Sequence, residues 1–410
     1  MPAPLKGSFA ERVVHWQRRH GRHGLPWQGT RDPYRIWLSE IMLQQTQVST
    51  VLRYYDAFLQ RFPTVADLAA APQDDVLAAW SGLGYYSRAR NLHRCAQAVV
   101  REHGGVFPRR AAELEQLPGI GRSTAAAVAA FSAGERAAIL DGNVKRVLAR
   151  HLGVRDDLSK PAAQRQLWSV AESLLPEQGI EAYTQGLMDL GATVCLPRSP
   201  NCLLCPVQTD CVASCSGRPQ DYPVKSPRAQ RGARRSVVLI WLRSASGQAG
   251  GSTASPKPHS EVLLCRRPPR GIWAGLWAPL LWNDEADLEA ALAEASRSLG
   301  LALEGPAGDI QRMTPVVHAL THLDWTLVPM RWSGDWANAM PGALPGALSG
   351  ALPGALSGAL PGALVGALAA RAEGAEPETA AWFALADALK LGLPAPIRRW
   401  LEDELAHHGA

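Results

Sequence analysis

Four cysteines near the middle of the chain have the clearest chemical potential. Their spacing is C-x6-C-x2-C-x5-C, with three prolines between them that favour tight turns. Four thiolates so close in sequence can surround one tetrahedral ion or one iron–sulfur cubane, so the spacing predicts a metal site for zinc or an iron–sulfur cluster. The four residues are Cys195, Cys202, Cys205 and Cys211, whereas Cys95, Cys215 and Cys265 are expected to be ordinary packing or surface thiols.

A glycine-containing segment, Leu117–Ala125, is the second chemical signal. Gly119 and Gly121 permit a tight turn with the backbone close to a ligand, and a new helix of small residues begins at Thr124. The free N–H groups of such a turn and helix start can bind a DNA phosphate without reading sequence. An ordinary joint between two helices explains the same residues, and this segment alone does not separate the two interpretations.

Helices are the elements that must position these residues in the first half of the chain. Apolar residues recur at helical spacing between residue 8 and about 194, and prolines and glycines interrupt the pattern. We therefore predict a mainly helical region there. The clearest stretches are Tyr34–Phe58, Val76–Trp80, Ala89–Arg101, Thr124–Phe131 and Gln164–Leu175.

Beyond residue 235 the pattern becomes mixed. Runs rich in β-branched and aromatic residues predict strands, two other stretches predict helices, and together they indicate an α+β region. Residues 216–235 are predicted to be a linker. Residues 244–260 and the low-complexity tetrads at 341–368 are predicted to be surface insertions without a catalytic role. The predicted strands lie in Ser236–Leu242, Glu261–Arg267 and Val316–Trp332, and the predicted helices in Asp284–Leu299 and Glu378–Leu389.

Composition limits the class of protein. The chain has 410 residues, 47% of them hydrophobic and 19% charged, which indicates a globular protein of two domains and excludes a disordered one. The net charge of +5 permits a nucleic-acid partner without requiring one. No apolar run reaches the length of a membrane span, and no signal pattern opens the chain. We expect a cytoplasmic protein, where seven reduced cysteines indicate a metal before disulfides.

Several motifs occur in the order found in one family. Leu117–Ala125 resembles the helix-hairpin-helix motif of DNA glycosylases, and Leu140–Val147 resembles the aspartate segment that follows it there. The cysteine spacing resembles the cluster loop of the same superfamily. Trp37–Val48 and Gly82–Asn91 resemble the adenine DNA glycosylases of the MutY family. The likeness is dense over residues 9–215 and looser over 236–400.

This resemblance implies a fold and a set of partners. It implies a mainly α helix-hairpin-helix glycosylase domain at 1–194, a [4Fe-4S] cluster loop at 195–215, the linker, and an α+β Nudix-like lesion-recognition domain at 236–403. The expected partner is double-stranded DNA with adenine opposite 8-oxoguanine or guanine. The expected protein is a monomer associated with the nucleoid and not with a membrane.

Two carboxyl groups match the family's catalytic positions. Breaking a purine N-glycosidic bond requires a proton on the leaving base and stabilisation of the sugar cation. The resemblance implies that Glu40 protonates adenine N7 and later activates water, and that Asp141 stabilises the oxocarbenium ion or traps it covalently on the sugar. Taken without the family, Glu40 is more simply a solvated helix residue and Asp141 a helix N-cap. A helix start can also aim a carboxylate at DNA, so Asp141 can serve both purposes.

Other side chains are assigned by the same resemblance. Part of the set enters the DNA beside the lesion, fills the gap left by an extruded base, or binds the backbone. A second part surrounds the flipped adenine, and a third reads 8-oxoguanine with residues close to position 320. The DNA contacts are Gln45, Thr46, Leu83, Tyr85, Gly119, Gly121 and Ser123; the adenine pocket is Trp27, Gln28, Asn143 and Gln185; and the 8-oxoguanine contacts are Thr321 and His322.

This sequence differs from its relatives at two of the assigned positions. The family usually has Phe-Ser-His where this chain has Leu320-Thr321-His322, so the hydroxyl and imidazole remain but the aromatic ring does not. Ser123 stands where endonuclease III-like relatives have a lysine that forms a Schiff base. Serine cannot form an imine. We therefore expect a monofunctional glycosylase that leaves an abasic site.

Three rival functions agree less well with the sequence. A bifunctional oxidised-pyrimidine glycosylase on the same scaffold is disfavoured by Ser123 and by the second domain. A Nudix nucleotide hydrolase needs a glutamate pair for magnesium, but Arg297 and Ser298 occupy those positions. A DNA-binding protein without catalysis would have no need of Glu40 and Asp141 in their motifs.

Overall fold

The computed structural model describes residues 7–224, 230–243, 261–299, 310–333, 365–375 and 379–408. The chain divides into two compact units. The first consists of Met1–Ala71 and Ser87–Arg228, and the second of Pro72–Tyr86 and Ala229–Ala410. The segment Pro72–Tyr86 therefore belongs to the second unit, although the chain on both sides of it belongs to the first.

The first unit is helical. Capping residues fix where its helices begin: Ser8 and Glu11 form a capping box at α1, and Asp32 caps α2 ahead of Pro33 at the first helical position. Its helices are α1 (Phe9–His20), α2 (Pro33–Leu43), α3 (Val48–Val51), α4 (Tyr55–Arg61), α5 (Val65–Ala70), α7 (Tyr86–His103, from Ser87 onward), α8 (Ala111–Leu114), α9 (Arg122–Ala133), α10 (Gly142–Leu152), α11 (Pro161–Ser173), α12 (Ile180–Asp189) and α13 (Val212–Cys215). A π-helical turn, Leu190–Val194, extends α12.

The core of this unit forms where amphipathic helices bury their apolar faces. Val13 of α1, Leu148 of α10 and Leu187 of α12 belong to one buried cluster. Trp37 of α2 is fully buried and packs against Phe107, with ring centroids 5.1 Å apart. Burying a large side chain of this kind stabilises a fold by roughly 1.5–3 kcal/mol. The core thus holds the ends of α2, α9 and α10 in place.

The described residues of the second unit form an eight-stranded mixed sheet. Its central strands β1 and β7 run parallel over residues 232–242 and 323–333, while the other pairings are antiparallel. Trp241 and Trp332 stack on this sheet with ring centroids 4.5 Å apart. The strands are β1 (Gly232–Arg243), β2 (Glu261–Arg266), β3 (Trp277–Ala278), β4 (Leu280–Trp282), β5 (Ile310–Arg312), β6 (Val316–Ala319), β7 (Leu323–Ser333) and β8 (Ala381–Ala384). The helices are α6 (Gln73–Ala79), α14 (Glu285–Leu299), α15 (residues 365–371), α16 (Leu385–Ala388) and α17 (Ala395–His408).

The predicted fold class is confirmed, with three local differences. The helix predicted over Glu378–Leu389 is wrong in its first half: β8 forms there because it completes the sheet beside β2 and because Trp382 packs on Trp241. Strand β1 begins at Gly232, inside the predicted linker, because its first residues pair with β7. The last tetrad of the insert is helical, and Leu368 is buried in the sheet's core.

Two of the predicted insertions cannot be compared fully. Residues 244–260 and 341–364 lie outside the described residues. None of the helices in the described part of the chain is long and apolar enough to cross a membrane.

Candidate active site

A cavity of about 910 Å³ in the first unit collects many of the residues singled out from sequence. It opens among the end of α2, the start of α9, the start of α10 and the face of α12. Eight predicted site residues line it: Trp27, Glu40, Gln45, Thr46, Ser123, Asp141, Asn143 and Gln185. The fold therefore brings together two carboxyl groups, an indole, three amides and two hydroxyls from residues that are up to 158 positions apart along the chain.

Glu40 lies in the last turns of α2 with its carboxyl group facing this cavity. Burial raises the pKa of Glu40 to about 7, and the nearby charge of Asp141 raises it further in the same direction. Removing a carboxyl from water disfavours its charged form, and a second carboxylate adds repulsion. At neutral pH Glu40 is therefore divided between acid and carboxylate, the condition in which one group can donate a proton and later accept one.

Asp141 caps the N-terminus of α10 and lines the same cavity. Its Oδ1 accepts a hydrogen bond from the backbone N–H of Val144 at 2.7 Å. Burial raises the pKa of Asp141, but the N–H groups of Val144 and Asn143 and the charge of Arg146 oppose that rise. The N–H groups at the helix start thus favour the carboxylate of Asp141, and Glu40, which lies inside α2, receives no such hydrogen bonds from a helix start.

A buried aspartate that the sequence analysis missed organises one wall. Asp189 is fully buried, and its carboxylate accepts from Arg22 Nε at 2.7 Å and from Gln185 Nε2 at 2.8 Å. Asp189 follows Gln185 by four residues, so both lie on one face of α12. The amide group of Gln185 is thereby oriented toward the cavity. That i, i+4 spacing was visible in the sequence, but the pairing with Arg22 was not.

Trp27 and Gln28 occupy different positions relative to this wall. Trp27 is buried, lines the cavity and packs edge-on against Tyr55 with ring centroids 5.4 Å apart. Gln28 does not line this cavity but an adjacent one of about 590 Å³. Its amide accepts from the N–H of Leu25 at 3.1 Å and donates to the carbonyl of Arg22 at 2.9 Å, so it braces the loop that carries Trp27.

Asn143 is held by an arginine that also reaches the cysteine loop. Arg146 Nη2 donates to Asn143 Oδ1 at 2.9 Å and to the carbonyl of Gly191 at 2.7 Å, and its Nε donates to the carbonyl of Cys195 at 2.8 Å. A Cβ on Gly191 would lie 2.6 Å from Asn143 Cβ, so only glycine allows this approach. One side chain thereby connects the cavity wall with the start of the cysteine loop.

Of the two glycines in the hairpin between α8 and α9, only Gly119 is in a position that no other residue fits. Gly119 has φ +78°, and a Cβ there would lie 2.5 Å from Asn91 Cβ. Gly121 caps α9, and the space beside it is open, which leaves its backbone accessible to a ligand. Ser123 follows in the first turn, and its Oγ accepts from the N–H of Leu140 at 3.0 Å. Ser123 thus ties the hairpin to the strand-like segment that leads into Asp141.

Buried Arg88 shapes the turn that follows α2. It donates to three carbonyl groups at the end of that helix, that of Gln44 at 2.5 Å, and to Thr46 Oγ1 at 2.9 Å. Gln45, between them, is exposed with φ +56°, a left-handed conformation that is rare for a residue other than glycine. Gln44 also donates to Thr124 Oγ1 at 3.3 Å, joining this turn to α9.

The four cysteines of the spaced motif line one small pocket. Arg150, almost completely buried, donates from Nη1 to Cys195 Sγ at 3.3 Å and to the carbonyl of Leu196 at 2.6 Å. Among the described residues, no group of three or more His, Cys, Asp or Glu side chains forms a metal-holding set as it stands. The donor set nevertheless fits a four-thiolate centre, because the thiols share one pocket and a guanidinium offsets their negative charge.

The remaining predicted residues lie in the second unit. Leu83 is buried at 5% exposure, whereas Tyr85 is 46% exposed. Thr321 and His322 are exposed in the turn between β6 and β7. Close by, His318 accepts a hydrogen bond from Trp273 Nε1 at 3.4 Å.

Comparison with known proteins follows the same division of the chain. Residues 38–173 match the HhH-GPD superfamily of base excision DNA repair proteins, and residues 256–403 match the NUDIX domain. A solved structure of a thermostable thymine-DNA glycosylase is similar at a TM-score of 0.47 and 31% identity, over 51% of this chain and 95% of that one.

Two curated relatives are adenine DNA glycosylases. That of Buchnera aphidicola subsp. Acyrthosiphon pisum (strain APS) is 41% identical over 218 residues, which are 53% of this chain and 62% of the relative. That of Mycobacterium tuberculosis (strain CDC 1551 / Oshkosh) is 39% identical over 237 residues, 57% of this chain and 78% of the relative. The chain spans between 57% and 63% of the length of three Buchnera relatives. From these matches, and from the order in which the helical and Nudix-like parts occur, the chain belongs to the adenine DNA glycosylase family.

Proposed function

We propose that the protein hydrolyses the N-glycosidic bond of adenine opposite 8-oxoguanine or guanine in double-stranded DNA and leaves an abasic site. The observation that carries this proposal is the pairing of Glu40 and Asp141 on one cavity in unlike environments. A pair of carboxyl groups whose environments favour different protonation states is suited to split the roles of acid and charge stabiliser.

Glu40 supplies the proton in this mechanism. In its neutral form it donates to N7 of the flipped adenine, the glycosidic bond breaks, and its electron pair leaves with the base. The resulting Glu40 carboxylate then accepts a proton from water as the water oxygen bonds to the anomeric carbon. A pKa of about 7 lets one carboxyl group perform both steps near neutral pH.

Asp141 stabilises the positive charge that develops on the sugar. Its hydrogen bond from Val144 and its place at the start of α10 favour the carboxylate form. A fixed anion beside the sugar lowers the energy of the oxocarbenium ion without reorganisation at the moment of reaction. Capping and catalysis are compatible because Asp141 accepts from the N–H of Val144 and still lines the cavity.

The adenine base is held by the cavity wall. Gln185, oriented by Asp189, presents its amide to the base, and Trp27 offers an aromatic face. Asn143, held by Arg146, lies beside Asp141 at the sugar. Gln28 contributes to the pocket indirectly, because its two hydrogen bonds hold the loop that carries Trp27.

DNA binding combines backbone and base-stack contacts. The backbone at the start of α9, where Gly121 has open space beside it and Ser123 follows, binds a phosphate, while Gly119 makes the turn. Gln45 and Thr46 enter beside the lesion from the turn organised by Arg88. Tyr85 is already exposed, so it is the aromatic that fills the vacated stack, whereas Leu83 must leave a buried position to do so.

Recognition of 8-oxoguanine is assigned to the turn between β6 and β7. Thr321 and His322 expose a hydroxyl and an imidazole there, groups able to donate and accept hydrogen bonds at a base edge. Leu320 provides apolar contact without the stacking of an aromatic ring.

We further propose that Cys195, Cys202, Cys205 and Cys211 hold one [4Fe-4S] cluster. Bound there, the cluster would fasten the 195–211 loop through four thiolate bonds. Arg150 and Arg146 would keep that loop against α10, and none of the hydrolytic steps passes through it.

The product and the setting follow from the same residues. Ser123 offers no amine and its hydroxyl accepts from the chain itself, so the enzyme releases adenine without cutting the strand. We place the protein with chromosomal DNA in the cytoplasm, acting as a monomer and without a membrane.

Single-turnover release of adenine from labelled duplexes tests this proposal. Adenine is placed opposite 8-oxoguanine, guanine or thymine, and free adenine and strand cleavage with and without alkali are measured. Release opposite the first two, none opposite thymine, and cleavage only after alkali are expected. Glu40→Gln should abolish release, and Glu115→Gln, at an exposed position, should not. Folded protein that releases no adenine from any duplex would refute the proposal and direct attention to oxidised pyrimidines.

A further inference from the structure

The segment Pro72–Tyr86 is held by the second unit through apolar and charged contacts. Leu77 of α6 is buried, and a Cβ on Gly392 would lie 2.8 Å from Leu77 Cβ, so the two backbones meet where only glycine fits. Arg266 of β2 forms an ion pair with Asp74 of the same segment. These contacts fix α6 against the sheet and the residues ahead of α17.

Two hydrogen bonds fasten the end of this segment to one carbonyl group. Ser81 Oγ donates to the carbonyl of Leu393 at 3.1 Å, and the hydroxyl of Tyr86 donates to the same oxygen at 2.7 Å. Arg398, in the first turn of α17, donates from Nε to Ser81 Oγ at 2.9 Å and from Nη2 to the carbonyl of Leu391 at 3.1 Å. This cluster of Ser81, Tyr86, Leu393 and Arg398 is here termed the loop clamp, and Ser81 at its centre is buried.

The loop between the two clamped ends is strained. Gly82 and Gly84 have φ +100° and +73°, and Tyr85, which has a Cβ, has φ +51°. The indole N–H of buried Trp80 donates to the carbonyl of Gly84 at 3.1 Å. A left-handed conformation at a residue other than glycine costs of order 1–3 kcal/mol and persists only where the surroundings over-determine it. The loop clamp and Trp80 supply those surroundings.

We propose that Arg398 is a positioning residue which, through Ser81, holds loop 82–85 in the conformation that presents Tyr85 to the DNA stack. This inference rests on the proposed function, since it assigns the second unit a part in extruding adenine in addition to reading the opposite base. Tyr85 touches the DNA, and Arg398 acts on it only through the loop clamp. A preorganised wedge avoids the entropy of ordering the loop at the moment the base is pushed out.

The test measures base extrusion apart from chemistry. The full-length Glu40→Gln protein is mixed with a duplex that carries 2-aminopurine in place of adenine opposite 8-oxoguanine, and the rise in fluorescence on unstacking is followed. Arg398→Met should reduce the fluorescence amplitude or its rate about tenfold, because the hydrogen bond from the charged guanidinium to Ser81 is lost. Arg398→Lys should restore part of it. Arg399→Met, one position along at an exposed site, should match the parent protein.

A second variant separates positioning from folding. Ser81→Ala removes only the hydroxyl that joins Arg398 to Leu393, and if the two residues act as one unit the double variant should lose little more than either single variant. Extrusion that is unchanged in both Arg398→Met and Ser81→Ala would overturn the inference and leave the glycosylase proposal standing. A parent protein that binds the duplex but extrudes nothing would overturn both. Additive losses in the double variant would also count against the loop clamp.

Discussion

Replacing Glu40 by Gln is expected to abolish adenine release and, at the same time, to stabilise the fold at alkaline pH. The pKa of Glu40 rises from 4.5 in the unfolded chain to about 7 in the fold, mainly through burial. The folded protein therefore binds more protons than the unfolded chain between these values, and its stability falls as pH rises through that interval. The neutral amide of Gln carries no such penalty.

The size of this effect follows from the two pKa values. At about pH 8 the ionised Glu40 destabilises the fold by about 3 kcal/mol relative to a neutral side chain, and at about pH 5 by less than about 1 kcal/mol. Urea denaturation at both pH values measures it, with exposed Glu115→Gln as the matched control. A Glu40→Gln protein that is no more stable than the wild type at about pH 8, or that gains equally at both pH values, would show that Glu40 is not a buried acid.

Three further substitutions test other parts of the site. Asp141→Asn should slow adenine release while keeping the cap on α10, and Asp141→Ala should lower the free energy of unfolding, measured in urea, by about 1 kcal/mol more. Equal stability of the two variants would show that the side chain of Asp141 does not stabilise α10 as a cap. Asp189→Ala breaks a buried pair and should cost about 3 kcal/mol of stability, and a wild-type denaturation midpoint would contradict the buried network around Arg22. In a filter-binding assay on unmodified duplex DNA, Gly119→Ala should weaken binding far more than Gly121→Ala, because only the first substitution causes a clash, with Asn91. Weaker binding by Gly121→Ala than by Gly119→Ala would contradict the proposed role of the hairpin.

Features that depend on residues close together in the chain could be predicted from the sequence. The cysteine motif predicted that four thiols would meet, and they line one pocket. The α+β character of the second half was predicted from runs rich in β-branched and aromatic residues beside two helical stretches, and the helical first half from apolar residues at helical spacing. Segment Glu378–Leu389 misled because its alanines favour a helix, whereas pairing with β2 and the packing of Trp382 stabilise a strand at its start.

Contacts between distant parts of the chain could not be predicted from the sequence. Arg22 meets Asp189, and Arg88 meets the turn after α2, through the fold and not through any spacing. Ser81 and Arg398 are 317 positions apart, so no motif could join them. The burial of Leu83 is a further case, since a leucine between two glycines gives no sign in the sequence that its side chain is buried. The roles of Glu40 and Asp141 were predicted from the family motif, and their pKa values required the structure.

The pH dependence of single-turnover adenine release tests the role of Glu40 most directly. Release from a duplex with adenine opposite 8-oxoguanine is measured at saturating enzyme from about pH 5 to about pH 9. If neutral Glu40 is the acid, the rate falls about tenfold for each pH unit above about 7, because the protonated fraction of Glu40 falls in that proportion. A rate that is constant up to about pH 9, in a protein that binds the duplex equally well throughout, would contradict the assignment of Glu40 as the proton donor.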